Sequence, residues 1–189
     1  MPPKIKITKE NIVKTAVELV RANGEEAVNA RAIATALNCS TQPVFSNFAS
    51  MEELQEATLS SAYGIYFEFL KREAESGKYP KYKAFGIAYV RFAKEEKELF
   101  KFLFMRDRRG KSLTPTADFE ESIEIIKNAN GISKEKAELL HLETWTCVHG
   151  IATMIATSFL TFDWELIENM LTDVYQGLRA RHLKRGDEE

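Results

Sequence analysis

Residues 28–54 read VNARAIATALNCSTQPVFSNFASMEEL and contain two short helix-sized segments joined by a turn. The first segment follows Asn29 and the second follows Ser40, and both residues have short oxygen-bearing side chains that can cap a helix N-terminus. In the turn, Asn38 is suited to the left-handed backbone conformation, which asparagine enters more readily than most residues. This pattern predicts a helix-turn-helix, a unit whose second helix can enter the major groove of DNA.

The same stretch resembles the DNA-binding domain of TetR-type transcriptional regulators. The resemblance covers residues 8–55 and is carried by Ile33-Ala34, Asn38-Cys39-Ser40, Val44-Phe45, Asn47-Phe48 and Glu52-Glu53-Leu54. Family members usually have tyrosine at the position of Phe45 and lysine at the position of Met51. The resemblance implies a ligand-responsive regulator, and favours a repressor, that binds palindromic operator DNA as a homodimer and is released by a small molecule.

On this interpretation, one side of the second segment faces the groove. The residues expected there are Ser40, Thr41, Gln42, Phe45, Ser46 and Asn47. We expect Gln42 to read bases, because its amide can pair with adenine through two hydrogen bonds. Asn29 and Arg31, at the start of the first segment, are expected to hold phosphates, and Lys4 and Lys6 in the N-terminal arm are further candidates.

The overall charge is less typical of a DNA-binding protein. The 189 residues carry a net charge of −2, whereas nucleic-acid-binding domains are often strongly basic. The charge is unevenly distributed, however, since residues 1–50 hold six Lys or Arg against four Glu. The basic part of the chain therefore coincides with the predicted helix-turn-helix.

Helical periodicity runs through the rest of the chain and predicts an all-α fold of about nine helices. Three of them form a DNA-binding domain over residues 1–50, and the others form an effector-binding and dimerisation domain over residues 51–189. Thr8 is expected to cap the first helix. The sequence Ser50-Met51-Glu52-Glu53 is a capping box, and it opens a long helix that connects the two domains.

A small hydrophobic or aromatic effector is predicted to bind in the second domain. Trp145 and His149 share a helix face, and with Gly150 they resemble the Trp-His-Gly motif of one TetR subgroup. The side chains expected to line the effector site are Tyr63, Tyr66, Phe85, Tyr89, Phe102, Phe104, Met105, Trp145 and His149. Two alternatives stay open: the aromatic residues can be plain core, and His149 can be a buried histidine bonded to a backbone carbonyl.

The last helix has the spacing of a helix-helix interface. Its apolar residues recur at intervals of three and four, namely Trp164, Ile167, Leu171, Val174 and Leu178. We expect these residues to form the dimer interface, because a helix-turn-helix that reads a palindrome needs two heads. A helix packed only against its own chain is the alternative.

Other classes of protein find little support in the sequence. Cys39 and Cys147 form neither a disulfide framework nor, with three histidines, a metal site, so no cofactor is expected. No convergent set of acid, base or metal ligands indicates an enzyme. Residues 144–160 are uncharged but too polar to lie in lipid, and no signal peptide is present, which together predict a cytoplasmic protein. A DNA-binding protein without an effector remains the main rival hypothesis, and a helical enzyme the remoter one.

Overall fold

The predicted helix-turn-helix is present in the computed structural model, which describes residues 7–107 and 117–184. These residues form nine α-helices and one 3-10 turn, without a strand, which confirms the all-α prediction. The helices are α1 (Lys9–Asn23), α2 (Ala30–Ala36), α3 (Gln42–Asn47), α4 (Met51–Glu75), α5 (Lys81–Glu95), α6 (Lys97–Phe104), α7 (Ala117–Asn130), α8 (Lys134–Ala156) and α9 (Trp164–Lys184).

The chain packs as two compact units. Among the described residues, the first contains residues 7–67 together with Glu96–Arg106, and the second contains Glu68–Glu95, Asp107 and residues 117–184. The division therefore falls within α4, and α6 belongs to the first unit although its neighbours in the chain belong to the second. The functional domain boundary after residue 50 stays a prediction.

A small apolar core holds the helix-turn-helix together in the first unit. It is formed by buried residues of α1, α2, α4 and the α3 segment: Ile12, Ala16, Ile33, Val44, Phe48 and Leu54. Asn38 adopts the expected left-handed conformation, with φ of 50°. Thr8 and Asn29 act as the predicted caps, since their side chains accept hydrogen bonds from the amides of Asn11 and Ala32.

The start of α3 differs from the prediction, because Ser40 does not cap it. The helix begins at Gln42, and Thr41 before it already has a helical backbone, with φ of −73° and ψ of −14°. A capping residue needs an extended backbone directly before the helix. In addition, Pro43 occupies the first turn and has no N–H to donate to a cap.

In the second unit, α8 packs against α5, α7 and α9. One apolar cluster joins Ile123 and Ile126 of α7 to Ala137 and Leu140 of α8. The approach of α5 to α9 is close at Gly86, where an added Cβ would lie 3.0 Å from the Leu171 side chain. The unit therefore has an apolar interior to which all four helices contribute.

We expect Asn29→Ala to lower the free energy of unfolding by about 1 kcal/mol, because it removes the side-chain cap of α2. Ser40→Ala is the matched control, since Ser40 precedes a helix without capping it, and its effect should stay within about 0.5 kcal/mol. Urea denaturation followed by circular dichroism measures both. Equal losses for the two variants would contradict the assignment of the caps.

Candidate nucleic-acid interface and sites in the second unit

The outward side of α3 carries an amide, a phenyl ring and a hydroxyl. Gln42, Phe45 and Ser46 are exposed, whereas Val44 and Phe48 are buried in the core of the first unit. Phe45 exposes 57% of its surface, a large fraction for an aromatic residue. The burial of Val44 and Phe48 thus fixes which side chains α3 presents to a ligand.

The polar residues of α3 that are predicted to face DNA differ in whether their side chains form hydrogen bonds within the helix. The Ser46 hydroxyl donates to the Gln42 carbonyl oxygen at 2.9 Å, and the Asn47 amide donates to the Pro43 carbonyl oxygen at 2.8 Å. Over the described ranges, the side-chain amide of Gln42 has no intramolecular hydrogen-bond partner. Gln42 is therefore the residue of α3 whose donors and acceptor are available to an external group.

Two of the four Lys and Arg side chains that the structure describes in residues 7–55 already have an acidic partner. Lys9 Nζ lies 2.7 Å from Glu53 Oε1, and Arg21 Nε lies 2.8 Å from Glu96 Oε2. Arg31, in the first turn of α2, is exposed and forms no ion pair with any described residue. Asn29 is also exposed, but its side-chain oxygen Oδ1 already accepts the capping hydrogen bond from the Ala32 amide. The predicted phosphate contacts Lys4 and Lys6 lie outside the described residues.

In the second unit, Tyr89, Trp145 and His149 form one aromatic group. The Tyr89 hydroxyl and His149 Nδ1 are 2.8 Å apart, and the rings of Trp145 and His149 stack with centroids 4.9 Å apart. Tyr89 is buried, His149 is half-buried, and Trp145 is 38% exposed. Burial lowers the pKa of His149, because it removes water from the charged imidazolium. His149 is thus paired with a tyrosine hydroxyl at its Nδ1 atom.

The other residues predicted to line an effector site divide between the two units. In the first unit, the Phe104 ring packs edge-on against Tyr63 and Tyr66, with centroids 6.1 and 5.2 Å apart. Phe102 is buried, and Met105 is 41% exposed. Phe85 belongs to α5 in the second unit, where it is half-buried. No ligand role follows from these contacts alone, since they also fit plain core packing.

The dimer interface predicted on α9 needs a correction at two positions. Ile167 and Leu171 are only 0% and 6% exposed in a single chain, so their side chains are already covered by their own unit. Trp164 lies beneath the Arg91 guanidinium, 4.5 Å from it, and Leu178 packs against the cluster of α7 and α8. Val174 is half-buried. The regular spacing correctly marks an apolar stripe, and at Ile167 and Leu171 this stripe faces the interior of the second unit.

The exposed large apolar residues of α8 and α9 lie elsewhere on these helices. Leu139 and Leu142 of α8 are 46% and 50% exposed, and Leu166 of α9 is 48% exposed. Gly150 and Gly177 lie within the same two helices, and a Cβ added at either would meet no atom within 4 Å. The exposure of the three leucines could not be predicted from the sequence, because apolar residues occur there on every side of the helix.

The part of the chain covered by the structure offers no metal centre, since no group of three or more His, Cys, Asp or Glu side chains could hold an ion. His141 is buried, its Nδ1 lies 3.0 Å from the Tyr82 hydroxyl, and burial lowers its pKa to about 4. It is therefore a neutral core histidine. Among the described helices, none is long and apolar enough to cross a membrane.

Comparison with known proteins gives likenesses of structure only. No family model and no curated protein matches the sequence. A protein of unknown function from Rhodococcus sp. RHA1 is similar in structure, with a TM-score of 0.72 and 17% identity over 95% of this chain and 97% of that chain.

Two further solved structures have names that describe a function. A TetR-like transcriptional regulator from Rhodococcus sp. RHA1 has a TM-score of 0.65 and 14% identity, over 93% of this chain and 96% of that one. A member of the TetR family from Streptomyces coelicolor A3 has a TM-score of 0.64 and 17% identity, over 88% and 96%. The chain therefore has the fold of TetR-like transcriptional regulators along nearly its whole length.

Proposed function

We propose that this protein is a ligand-responsive transcriptional regulator that binds palindromic operator DNA as a homodimer. The observation that carries the proposal is α3, whose inner side is fixed by Val44 and Phe48 while its outer side presents Gln42 and Phe45. The likeness in fold to solved TetR-like regulators supports it. A repressor is the simplest form of the proposal, since occupying an operator blocks other proteins without any further contact.

The role proposed for each side chain in DNA binding follows from the contacts that it makes within the chain. Gln42 has a side-chain amide without an internal partner, so it reads adenine in the major groove. Arg31 is an exposed cation in the first turn of α2, so it holds a phosphate. Lys9 and Arg21 already pair with glutamates, and their contribution to DNA affinity is correspondingly small. We therefore expect a shallow dependence of affinity on salt.

Selection of bound sequences from random DNA, with the full-length protein, tests this proposal, and the enriched site should be palindromic. Arg31→Ala should then weaken binding of all sequences alike. It should also reduce the log-log salt slope by up to about 1.8, from about 0.9 for each of two phosphates per dimer.

Lys14→Ala is the matched control for Arg31→Ala. Lys14 is also exposed, but it borders a groove with Ser61, which lies about 15 Å along α4 from Met51 at the helix start. This variant should leave the slope unchanged. An unchanged slope for Arg31→Ala as well would mean that α2 does not approach the phosphates.

For the dimer, we propose a second copy of the chain against the outward sides of α8 and α9. Leu139, Leu142 and Leu166 are about half exposed there in a single chain. Glycine within a helix costs about 1 kcal/mol relative to alanine, yet alanine would meet no obstacle at Gly150 or Gly177. A partner helix that approaches closely would account for both glycines. The two helices of each copy would then form a four-helix arrangement.

Leu142→Glu should convert the dimer to folded monomers, because it places a charge in each half of a desolvated interface. The matched control is Met105→Glu, which adds the same charge at a comparably exposed apolar residue outside α8 and α9. It should remain dimeric. Light scattering at micromolar concentration measures both, and a dimeric Leu142→Glu would exclude this surface.

The effector part of the proposal concerns Trp145 and His149. Their rings stack on each other at the surface of the second unit. The Tyr89 hydroxyl, which lies 2.8 Å from His149 Nδ1, orients the imidazole. A small aromatic or hydrophobic molecule could stack on Trp145 and form a hydrogen bond nearby. The competing function is DNA binding without an effector, which the burial of Tyr66, Tyr89 and Phe102 favours, because these residues already have a packing role.

Addition of the effector should change Trp145 fluorescence, measured in a Trp164→Phe background against a panel of planar aromatic compounds. His149→Ala should weaken binding of the active compound about tenfold, the worth of one lost hydrogen bond, without altering operator affinity in its absence. Phe159→Ala, which removes another exposed aromatic side chain of the same unit, should change neither. A panel without any response would favour the regulator that has no effector.

A further inference from the structure

Phe45 is exposed in a way that folding does not explain. The inner side of α3 is filled by Val44 and Phe48, which are almost fully buried. Phe45, which lies between them in the chain, is not part of this core and exposes 57% of its surface, and of the large apolar residues that the structure describes only Phe159 exposes more. An exposed phenyl ring contributes little to the stability of its own chain, and this ring is available for contact with another molecule.

The neighbours of Phe45 indicate what kind of molecule this is. Gln42 lies three positions earlier, which places the two side chains side by side on the helix surface. The hydroxyl of Ser46 is directed to the Gln42 carbonyl oxygen at 2.9 Å. The outward surface of α3 therefore combines one available amide with one phenyl ring and carries no charge, which suits the edges of bases better than phosphates.

We propose that Phe45 reads the 5-methyl group of a thymine beside the adenine that Gln42 pairs. This inference rests on the proposed function. Thymine is the base that presents a methyl group in the major groove, and an apolar side chain is the contact that recognises it. A phenyl ring has no polar atom to leave unpaired against a methyl group, so the contact has no desolvation cost of the kind that a hydroxyl would bring.

The spacing of the two residues fixes where this thymine lies. One turn of helix advances about 5.4 Å, whereas successive base pairs are about 3.4 Å apart. Side chains at three residues' separation therefore reach bases one or two steps apart when the helix lies along the groove. Each half-site should contain an A·T pair read by Gln42 and, within two steps of it, a thymine read by Phe45.

Deoxyuridine isolates this contact, because it differs from thymidine only by the missing methyl group. Full-length protein is titrated with the selected operator and with duplexes in which each thymine, in both half-sites, is replaced in turn. Replacement of the thymine that Phe45 contacts, in both half-sites at once, should weaken wild-type binding about fifteenfold. This corresponds to about fourfold for each buried methyl group. Phe45→Ala should weaken binding of the thymine operator and bring the ratio of the two affinities close to one.

Phe159→Ala is the matched control, since it removes an exposed phenyl ring of the second unit, outside α3, and it should keep the wild-type ratio. Thermal unfolding of Phe45→Ala should match that of the wild type, because the ring is largely exposed. If wild-type protein selects an operator but no thymine methyl group matters by as much as twofold, or if Phe45→Ala keeps the ratio, this inference is wrong and the proposed function stands. If wild-type protein selects no sequence at all, both are overturned.

Discussion

The burial of Val44 and Phe48 is the constraint on which the helix-turn-helix of the first unit depends. The helix α3 has six residues, fewer than two turns, and a helix of this length is not stable alone in water. Its place is set by apolar contacts with α1, α2 and α4, through a core of only six fully buried residues. Since these contacts fix which side chains of α3 are buried, they also fix which side chains it exposes.

Charge in the first unit is used largely for internal structure. Glu53 accepts hydrogen bonds from Lys9 at one oxygen and from the Ala49 amide at the other, both at 2.7 Å, which joins α1 to the start of α4. These hydrogen bonds lower the pKa of Glu53, and the one from Lys9 has the larger effect. Arg21 binds both oxygens of Glu96 and so joins α1 to the segment that begins α6. The excess of basic residues counted in the sequence therefore overstates the positive charge available to DNA.

Local sequence signals predicted most of the fold, because they depend on neighbouring residues alone. Caps such as Asn29, the left-handed Asn38 and the helical periods all have local causes. The predicted cap at Ser40 was wrong for a local reason, the helical backbone of Thr41, whereas the other differences depend on distant residues. The spacing of Ile167 and Leu171 shows that α9 has an apolar side, but not that its own chain covers that side. Likewise, nothing in the spacing of Tyr89 and His149 shows that their side chains meet.

In the proposed regulator, α8 serves two purposes at once, and this links them. Trp145 and His149, proposed to bind the effector, lie in the same nine-residue stretch of α8 as Leu142 and Gly150 of the proposed dimer surface. A helix is a rigid element, so a rotation of α8 that improves its fit to an effector also turns the side offered to a second copy. The two copies together set the spacing of the heads, and operator half-sites require one spacing. An effector that binds one orientation of α8 more tightly than the other would therefore change the affinity for DNA. The size of the change is limited by the difference between the effector's affinities for the two orientations, and no contact between the effector and the first unit is needed.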